Sequence, residues 1–345
     1  MLLEARKGPY RVPYRNSMSE RFTYEHSQLT TNELEQFFQK VESDYGPAIH
    51  EIVRLLSNGE NQQCTISDIE TKIRSYLSAI IIYYYRSGAL LHEFEFETSK
   101  KENRIALLLR KLTNTSYINQ LSKTVNDFYE FAIIKSEEGH FLISDQYIST
   151  AALRIKTRFA DISNRHLGLV DVLMLVPISN SYYAVFYNGK KPDYISPQTI
   201  NTLSVNQVYE INNIVINNSY KKCVASNKKV LEESVPYFEG SAPSAIYMGH
   251  QSGRTSGATL KKEIFFYERD KKVWKLFVDS MHVKQYGGLG RNDACGCGSG
   301  KKFKYCCFEI YEWVKRLWRS IEDQNLAVKI MPHPSVQVEE SIFSF

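Results

Sequence analysis

The chain has 345 residues, 43 of them Lys or Arg and 38 Asp or Glu, for a formal net charge of +5. With 43% hydrophobic and 23% charged residues, it can bury a full core, as two units or as one large domain with an appendage. A mean hydropathy of −0.35 and the lack of any long charge-free apolar run exclude a membrane-spanning helix.

The most apolar run, 79–85, is far too short and ends at Arg86. Glu4, Arg6 and Lys7 interrupt Met1-Leu2-Leu3 before a signal-peptide core can form. Six cysteines in a chain so read fit a reducing cytoplasm, where thiols stay available as ligands.

Up to about Lys135 the pattern is helical. Thr30-Thr31-Asn32-Glu33 forms a capping box, with Leu29 and Leu34 as its hydrophobic staple. Leu34, Phe37, Phe38, Val41 and Tyr45 follow at helical spacing. Gly46-Pro47 predicts a kink or break before Ile49, Ile52, Val53 and Leu56 resume the stripe. A second box, Ser67-Asp68-Ile69-Glu70, opens a helix whose apolar face runs from Ile69 to Tyr84. Further helices are expected over 103–112 and 117–134.

From about His140 the pattern turns to strands: 141–143, 170–176 and 182–187, the last ending at the turn pair Asn188-Gly189. Val205, Val208, Ile211 and Ile214 return to helical spacing. Segments 264–267 and 273–278 read as a hairpin joined through 268–272, and 249–259, rich in Gly, Ser and Thr, as an exposed loop. The fold class is α+β: a helical N-terminal half, then a small mixed or antiparallel sheet. The chain divides into a body (1–280), a cysteine-rich knuckle (288–308), an amphipathic helix (309–327) and a tail (328–345). The helix carries Ile310, Trp313, Val314, Leu317, Trp318 and Ile321 on its apolar side, with both tryptophans placed to pack the knuckle on the body.

Charge and cysteine are both concentrated near the C-terminus. Between Arg291 and Arg319 seven basic residues face three acids, a local +4 of the whole-chain +5. Within that stretch Cys295, Cys297, Cys306 and Cys307 lie as two tight pairs around a loop of glycine and lysine. Four thiolates suit tetrahedral zinc. Gly296, Gly298 and Gly300 let the backbone fold back, and Arg291, Lys301, Lys302 and Lys304 present a basic rim to phosphate or an acidic surface. Cys64 and Cys223 read as ordinary apolar thiols.

The stretch resembles the SEC-C motif: C-x-C, eight residues, then C-C. The resemblance implies a small zinc-bound knuckle like the one at the C-terminal tail of the bacterial preprotein translocase ATPase, a docking module for the export chaperone or the ribosome. Three stretches of the body, 16–56, Phe141-Leu142-Ile143-Ser144-Asp145, and 173–179 with the Asn212-Asn213 helix, resemble the bacterial domain-of-unknown-function family numbered four-two-three-eight. Gln146-Tyr147 stand where that family usually shows a proline, and its opening His-Tyr-Ile-Pro-like segment is absent. The family name carries no activity.

In the body, Arg86 and His92 form an Arg-x5-His string that resembles the ribonuclease signature of HEPN domains, which implies action on a scissile phosphate and 2′-hydroxyl. On a continuous helix six residues leave the two side chains about 120° apart, and Gly88 could break the helix. A helix-terminal Arg86 paired with an acid such as Asp145 is the structural alternative. Asp145, at the end of a short apolar strand, is a second catalytic candidate beside its reading as a turn aspartate. Arg165-His166, His140 and His282 have no partner that spacing identifies.

The expected function is a zinc-binding cytoplasmic bacterial protein whose knuckle docks the body on the ribosome or another RNA-bearing assembly, in a setting such as phage defence. One alternative is an RNA-cleaving toxin or defence effector acting through Arg86. Another is a non-catalytic export-chaperone adaptor.

Overall fold

The computed structural model describes residues 2–4, 8–10, 33–57, 65–86, 101–138, 140–155, 170–219, 222–226, 228–234, 245–250, 259–261, 264–280, 288–323 and 326–331. The capping box at 30–33 up to Asn32, Cys64, Gly88, His92, Arg165-His166, His282, most of 249–259 and the tail beyond 331 lie outside these residues.

Two short strands, β1 (Leu2–Glu4) and β2 (Gly8–Tyr10), precede helix α1 (Glu33–Ser57). The helix runs unbroken through Gly46-Pro47, where the sequence predicts a kink or break. Pro47 removes one donor and crowds the turn before it. Yet Phe38 and Tyr45 before it and Ala48, Ile52 and Leu56 after it share one buried stripe, and that packing holds the two halves in phase.

Helices α2 (Ile66–Ser75) and α3 (Leu77–Tyr85) correspond to one predicted element, divided where Tyr76 leaves helical geometry. The cap is Thr65 rather than Ser67. Its backbone N–H donates to the Asp68 carboxylate at 2.8 Å, and its hydroxyl accepts from the Asp68 amide. An aspartate therefore serves the role expected of a glutamate.

Helices α4 (Lys101–Thr113) and α5 (Thr115–Phe128) follow, but α5 stops short of the predicted residue 134. Glu130–Lys135 is strand β3 instead, buried on both faces in the middle of a sheet. An apolar run such as Phe131-Ala132-Ile133-Ile134 suits either element, and tertiary pairing decides.

That sheet has five strands in the order β5 (Ser149–Ala152), β6 (Val172–Pro177), β7 (Tyr182–Asn188), β3, β8 (Ile200–Thr202). All neighbours are antiparallel except β3 and β8, which are parallel. Side chains alternate between its two faces. Phe131, Ile133, Met174, Val176, Ala184 and Phe186 face the helical layer α1–α5. Ala132, Ile134, Leu173, Leu175, Tyr183, Val185 and Tyr187 face α6 (Val205–Asn218) and α7 (Lys228–Ser234). Two covered faces explain why these strands read as continuous apolar runs.

Polar side chains tie the layers. The Arg74 guanidinium donates to the Tyr129 carbonyl at 2.7 Å and the Val125 carbonyl at 3.2 Å, pairs with Glu70, and lies over the Phe186 ring. Buried Asn212 donates to the His140 carbonyl and accepts from the Leu142 amide. β1, β2, β4 (Ile143–Ser144) and β9 (Lys222–Val224) form a second sheet in the order β2-β1-β9-β4.

The predicted hairpin over 264–278 is not formed. Phe265 makes one parallel bridge to Ala152, and Glu268–Ser280 is helix α8. Val273, Trp274 and Leu276 bury one side of it, a helical rather than an alternating pattern. Strands β10 (Ala245–His250), β11 (Thr259–Lys261) and β12 (Leu326–Met331) form a third sheet, so the predicted loop at 249–259 begins and ends in strands. The C-terminal helix α9 spans Phe308–Asp323, not 309–327. None of the described helices is long and apolar enough to cross a membrane.

Candidate metal centre

A third core cluster joins the knuckle to the body. Ala152 and Ile155 from the end of β5, Phe265, Val273, Trp274 and Leu276 meet Cys295, Phe303 and Val314. Phe303 is its centre on the knuckle side, with ring centroids 5.6 Å from Phe308 and 5.7 Å from Tyr311. Trp318 packs against this cluster as expected, whereas Trp313 lies instead beneath the guanidinium groups of Arg269 and Arg316.

The backbone of the knuckle folds into a tight loop. Ala294 and Lys302 form an antiparallel bridge, and the Cys295 amide donates to the Lys301 carbonyl at 2.8 Å. Farther out, the Phe303 amide reaches the Asp293 carbonyl and the Lys304 amide the Arg291 carbonyl. Gly298 and Gly300 take φ of 75° and 70°, the left-handed region that favours glycine, whereas Gly296 does not. The second cysteine pair follows a short 3-10 turn, Phe303–Tyr305, and directly precedes α9.

This loop gathers the four sulfurs of Cys295, Cys297, Cys306 and Cys307 within 4.8 Å of one another. Cys297 and Cys306 Sγ are 3.5 Å apart, and Cys306 and Cys307 Sγ 3.7 Å. A disulfide requires about 2.05 Å. Thiolates placed about 2.3 Å from one ion in a tetrahedron stand roughly 3.8 Å apart. The spacing fits four ligands around a soft tetrahedral cation. Four protein ligands also close the coordination sphere, which is the pattern of a structural rather than a catalytic metal.

The electrostatics agree. Hydrogen bonds from the Ser299 hydroxyl and amide, with help from Cys295, lower the Cys297 thiol to about 6. Burial and the crowding of the other three sulfurs push Cys307 far up; for Cys306 a hydrogen bond with Ser299 lowers the thiol, but Cys297, burial and Cys295 together raise it. Four sulfurs so close cannot all be anionic unless a cation is among them. Ser299, whose hydroxyl oxygen is 3.2 Å from Cys306 Sγ, belongs to this centre although cysteine spacing does not point to it. Its place between Gly298 and Gly300 was the available signal.

Around the centre, Arg291, Lys301 and Lys302 are exposed and Lys304 half-buried. The Arg291 guanidinium lies over the Phe308 ring and Lys304 Nζ over Tyr305.

The catalytic candidates of the body lie elsewhere. Arg86 follows α3 directly, and its guanidinium pairs with Glu42 and, at 3.7 Å, with Glu35, both from α1, while covering the Phe38 ring. Asp145 is half-buried in the turn after β4. Two residues on, Tyr147 takes φ of 62°, shares a 3.0 Å hydrogen bond with the Tyr45 hydroxyl and sets its ring 5.2 Å from that of Tyr83 at a tilt of 47°. The turn carrying Asp145 thus reaches the helix end carrying Arg86 through the Tyr83–Tyr147 contact. His140 pairs with Glu138 at 3.2 Å, and Cys223 is buried in the apolar core as expected.

Residues 2–229 match the model of a family described as "Protein of unknown function (DUF4238)". The chain belongs to that family. To this family fold is appended a SEC-C motif, matched over residues 291–309, which contain all four clustered cysteines. Over 206 residues the chain is 28% identical to the protein translocase subunit SecA of Azobacteroides pseudotrichonymphae genomovar. CFP2. That alignment covers 58% of this chain and 15% of the length of that relative. No solved structure matches the chain.

Proposed function

We propose that Cys295, Cys297, Cys306 and Cys307 hold one zinc ion and that the knuckle so formed docks the DUF4238 body on the ribosome or another RNA-bearing assembly in the cytoplasm. The observation that carries this reading is a closed four-sulfur centre rimmed by Arg291, Lys301, Lys302 and Lys304. A closed thiolate site supplies shape rather than chemistry, and a cationic rim seeks phosphate. Zinc would cross-link the two cysteine pairs and hold the lysine loop between them in one conformation. The knuckle's hydrophobic side, built on Phe303, is engaged with the body, so its basic side is the one left to meet a partner.

Metal analysis of the purified protein is expected to find about one zinc per chain. Co-sedimentation with ribosomes is expected for the wild type and not for Cys306→Ser/Cys307→Ser. A wild type that stays in the supernatant would remove the docking reading. The likeness to SecA supports a second reading, a non-catalytic adaptor for an export chaperone, which predicts chaperone capture instead. For a nuclease centred on Arg86, the two carboxylates of α1 would first have to yield the guanidinium to a phosphate. Expression of wild type beside Arg86→Ala with sequencing of cellular RNA tests that alternative.

A further inference from the structure

Phe303 and Tyr305 are the first and third residues of one 3-10 turn. At three residues per turn their side chains leave in different directions. Phe303 points into the core at 1% exposure, and Tyr305 points out at 73%. Burial accounts for the first ring and not for the second. The exposed ring is set among the cations: Lys304 Nζ is 4.8 Å from its centroid, and Lys301 and Lys302 lie exposed on the turn before. Between Ala294 and Phe308 there is no acidic residue.

Charge alone makes this rim a shallow attractor. With zinc on four thiolates, the centre carries a formal charge of about −2. That offsets half of what Arg291, Lys301, Lys302 and Lys304 supply, and Asp293 takes away more. A small net charge on an exposed loop is screened within roughly 8 Å at physiological ionic strength. A flat ring held beside those cations adds a contact that salt does not screen. Its natural complement is a chain that alternates phosphates with accessible planar faces. A duplex keeps its bases stacked inside, and an acidic protein surface offers carboxylates without planar faces.

We propose that Tyr305 is a stacking platform for an unpaired RNA base, with Lys301, Lys302 and Lys304 holding the flanking phosphates. This rests on the docking reading above and names the form of nucleic acid the knuckle selects.

The test is fluorescence anisotropy with the full-length, metal-loaded protein and three probes: a twelve-residue oligouridylate, a twelve-base-pair RNA duplex and a twelve-residue polyglutamate. The wild type is expected to prefer oligouridylate to both others. Tyr305→Ala should weaken oligouridylate binding by about tenfold while keeping the wild-type metal content, and Tyr305→Phe should restore it. The salt slope should stay unchanged in Tyr305→Ala and fall by about one unit in Lys302→Gln.

Tyr305→Ala binding oligouridylate within twofold of wild type overturns the proposal. So does duplex or polyglutamate bound as tightly as the single strand. If the wild type still sediments with ribosomes in either event, docking stands without the stack. If the wild type neither sediments nor binds oligouridylate, both readings fall together.

Discussion

Around the central sheet, Phe131, Phe186, Tyr183 and Tyr187 are almost fully buried, and helices cover both faces. In the knuckle, residues 291–307 bury only Cys295 and Phe303. The body thus has an apolar interior large enough to offset its chain entropy. Seventeen knuckle residues with two buried side chains do not, so their fold depends on a cross-link at the sulfurs and on docking through Phe303. One chain contains two solutions to the same problem, and each fails under different conditions.

Metal removal separates them most sharply. Structural zinc in small fingers is worth on the order of 10 kcal/mol at neutral pH, and that binding energy is folding energy. Chelation is expected to expose 291–307 to proteolysis while the circular dichroism and thermal midpoint of the body change little. A body that unfolds together with the knuckle would show that the two are one cooperative unit.

The converse is a cavity in the body. Phe186→Ala, beneath Arg74 and beside Phe131, should cost about 3–5 kcal/mol by denaturant titration while metal content holds at wild-type stoichiometry. Breaking a polar tie should cost less. Arg74→Ala removes donors to the Val125 and Tyr129 carbonyls, for an expected loss of roughly 2 kcal/mol.

Opposite ends of the pH scale should also distinguish the regions. Burial holds the Tyr45, Tyr147 and Tyr183 hydroxyls well above their ordinary range, and Tyr83 is pushed up to about 12. Below about pH 10 these phenols are neutral in both states. Above it the unfolded chain ionises while the folded one keeps its protons, so stability falls with rising pH, by about 1.4 kcal/mol per phenol and pH unit. In the knuckle the sign is reversed. Protons compete with the metal for thiolates, so metal release should increase as pH falls from 7 to 5. Unfolding monitored from pH 9 to 11 and metal release in acid check the two halves.

The smallest effect compares two glycines. Gly298→Ala forces an alanine to a φ of 75° in open space and should cost about 1 kcal/mol of knuckle stability. Gly189→Ala, at φ 95°, would also place a methyl 2.2 Å from an Asp171 carboxylate oxygen, so it should cost the body more. Metal retention of the first and thermal unfolding of the second complete the contrast.

Much of this was legible in the residues. The clustering of the four cysteines, the basic residues around them, the buried stripe of α1, the strands β6 and β7 and the class α+β all follow from spacing and residue type, because those features are local. The misreadings share one cause. Ile133-Ile134 became a strand rather than the end of a helix because β7 and β8 pair with both sides of β3. Residues 268–278 became a helix because Val273, Trp274 and Leu276 had a knuckle to pack on. Pro47 was carried through α1 because the stripe on either side was already buried.

The sequence by itself determined which atoms can hold a metal, since a tetrahedral thiolate site is set by four nearby sulfurs and the turns between them. Only the tertiary structure decided which aromatic ring of the 3-10 turn faces inward, that Ser299 attends the sulfurs, and that Arg86 is gripped by Glu42 and Glu35. Those outcomes depend on the direction of side chains relative to distant elements, and a one-residue rotation of a short turn exchanges inside for outside.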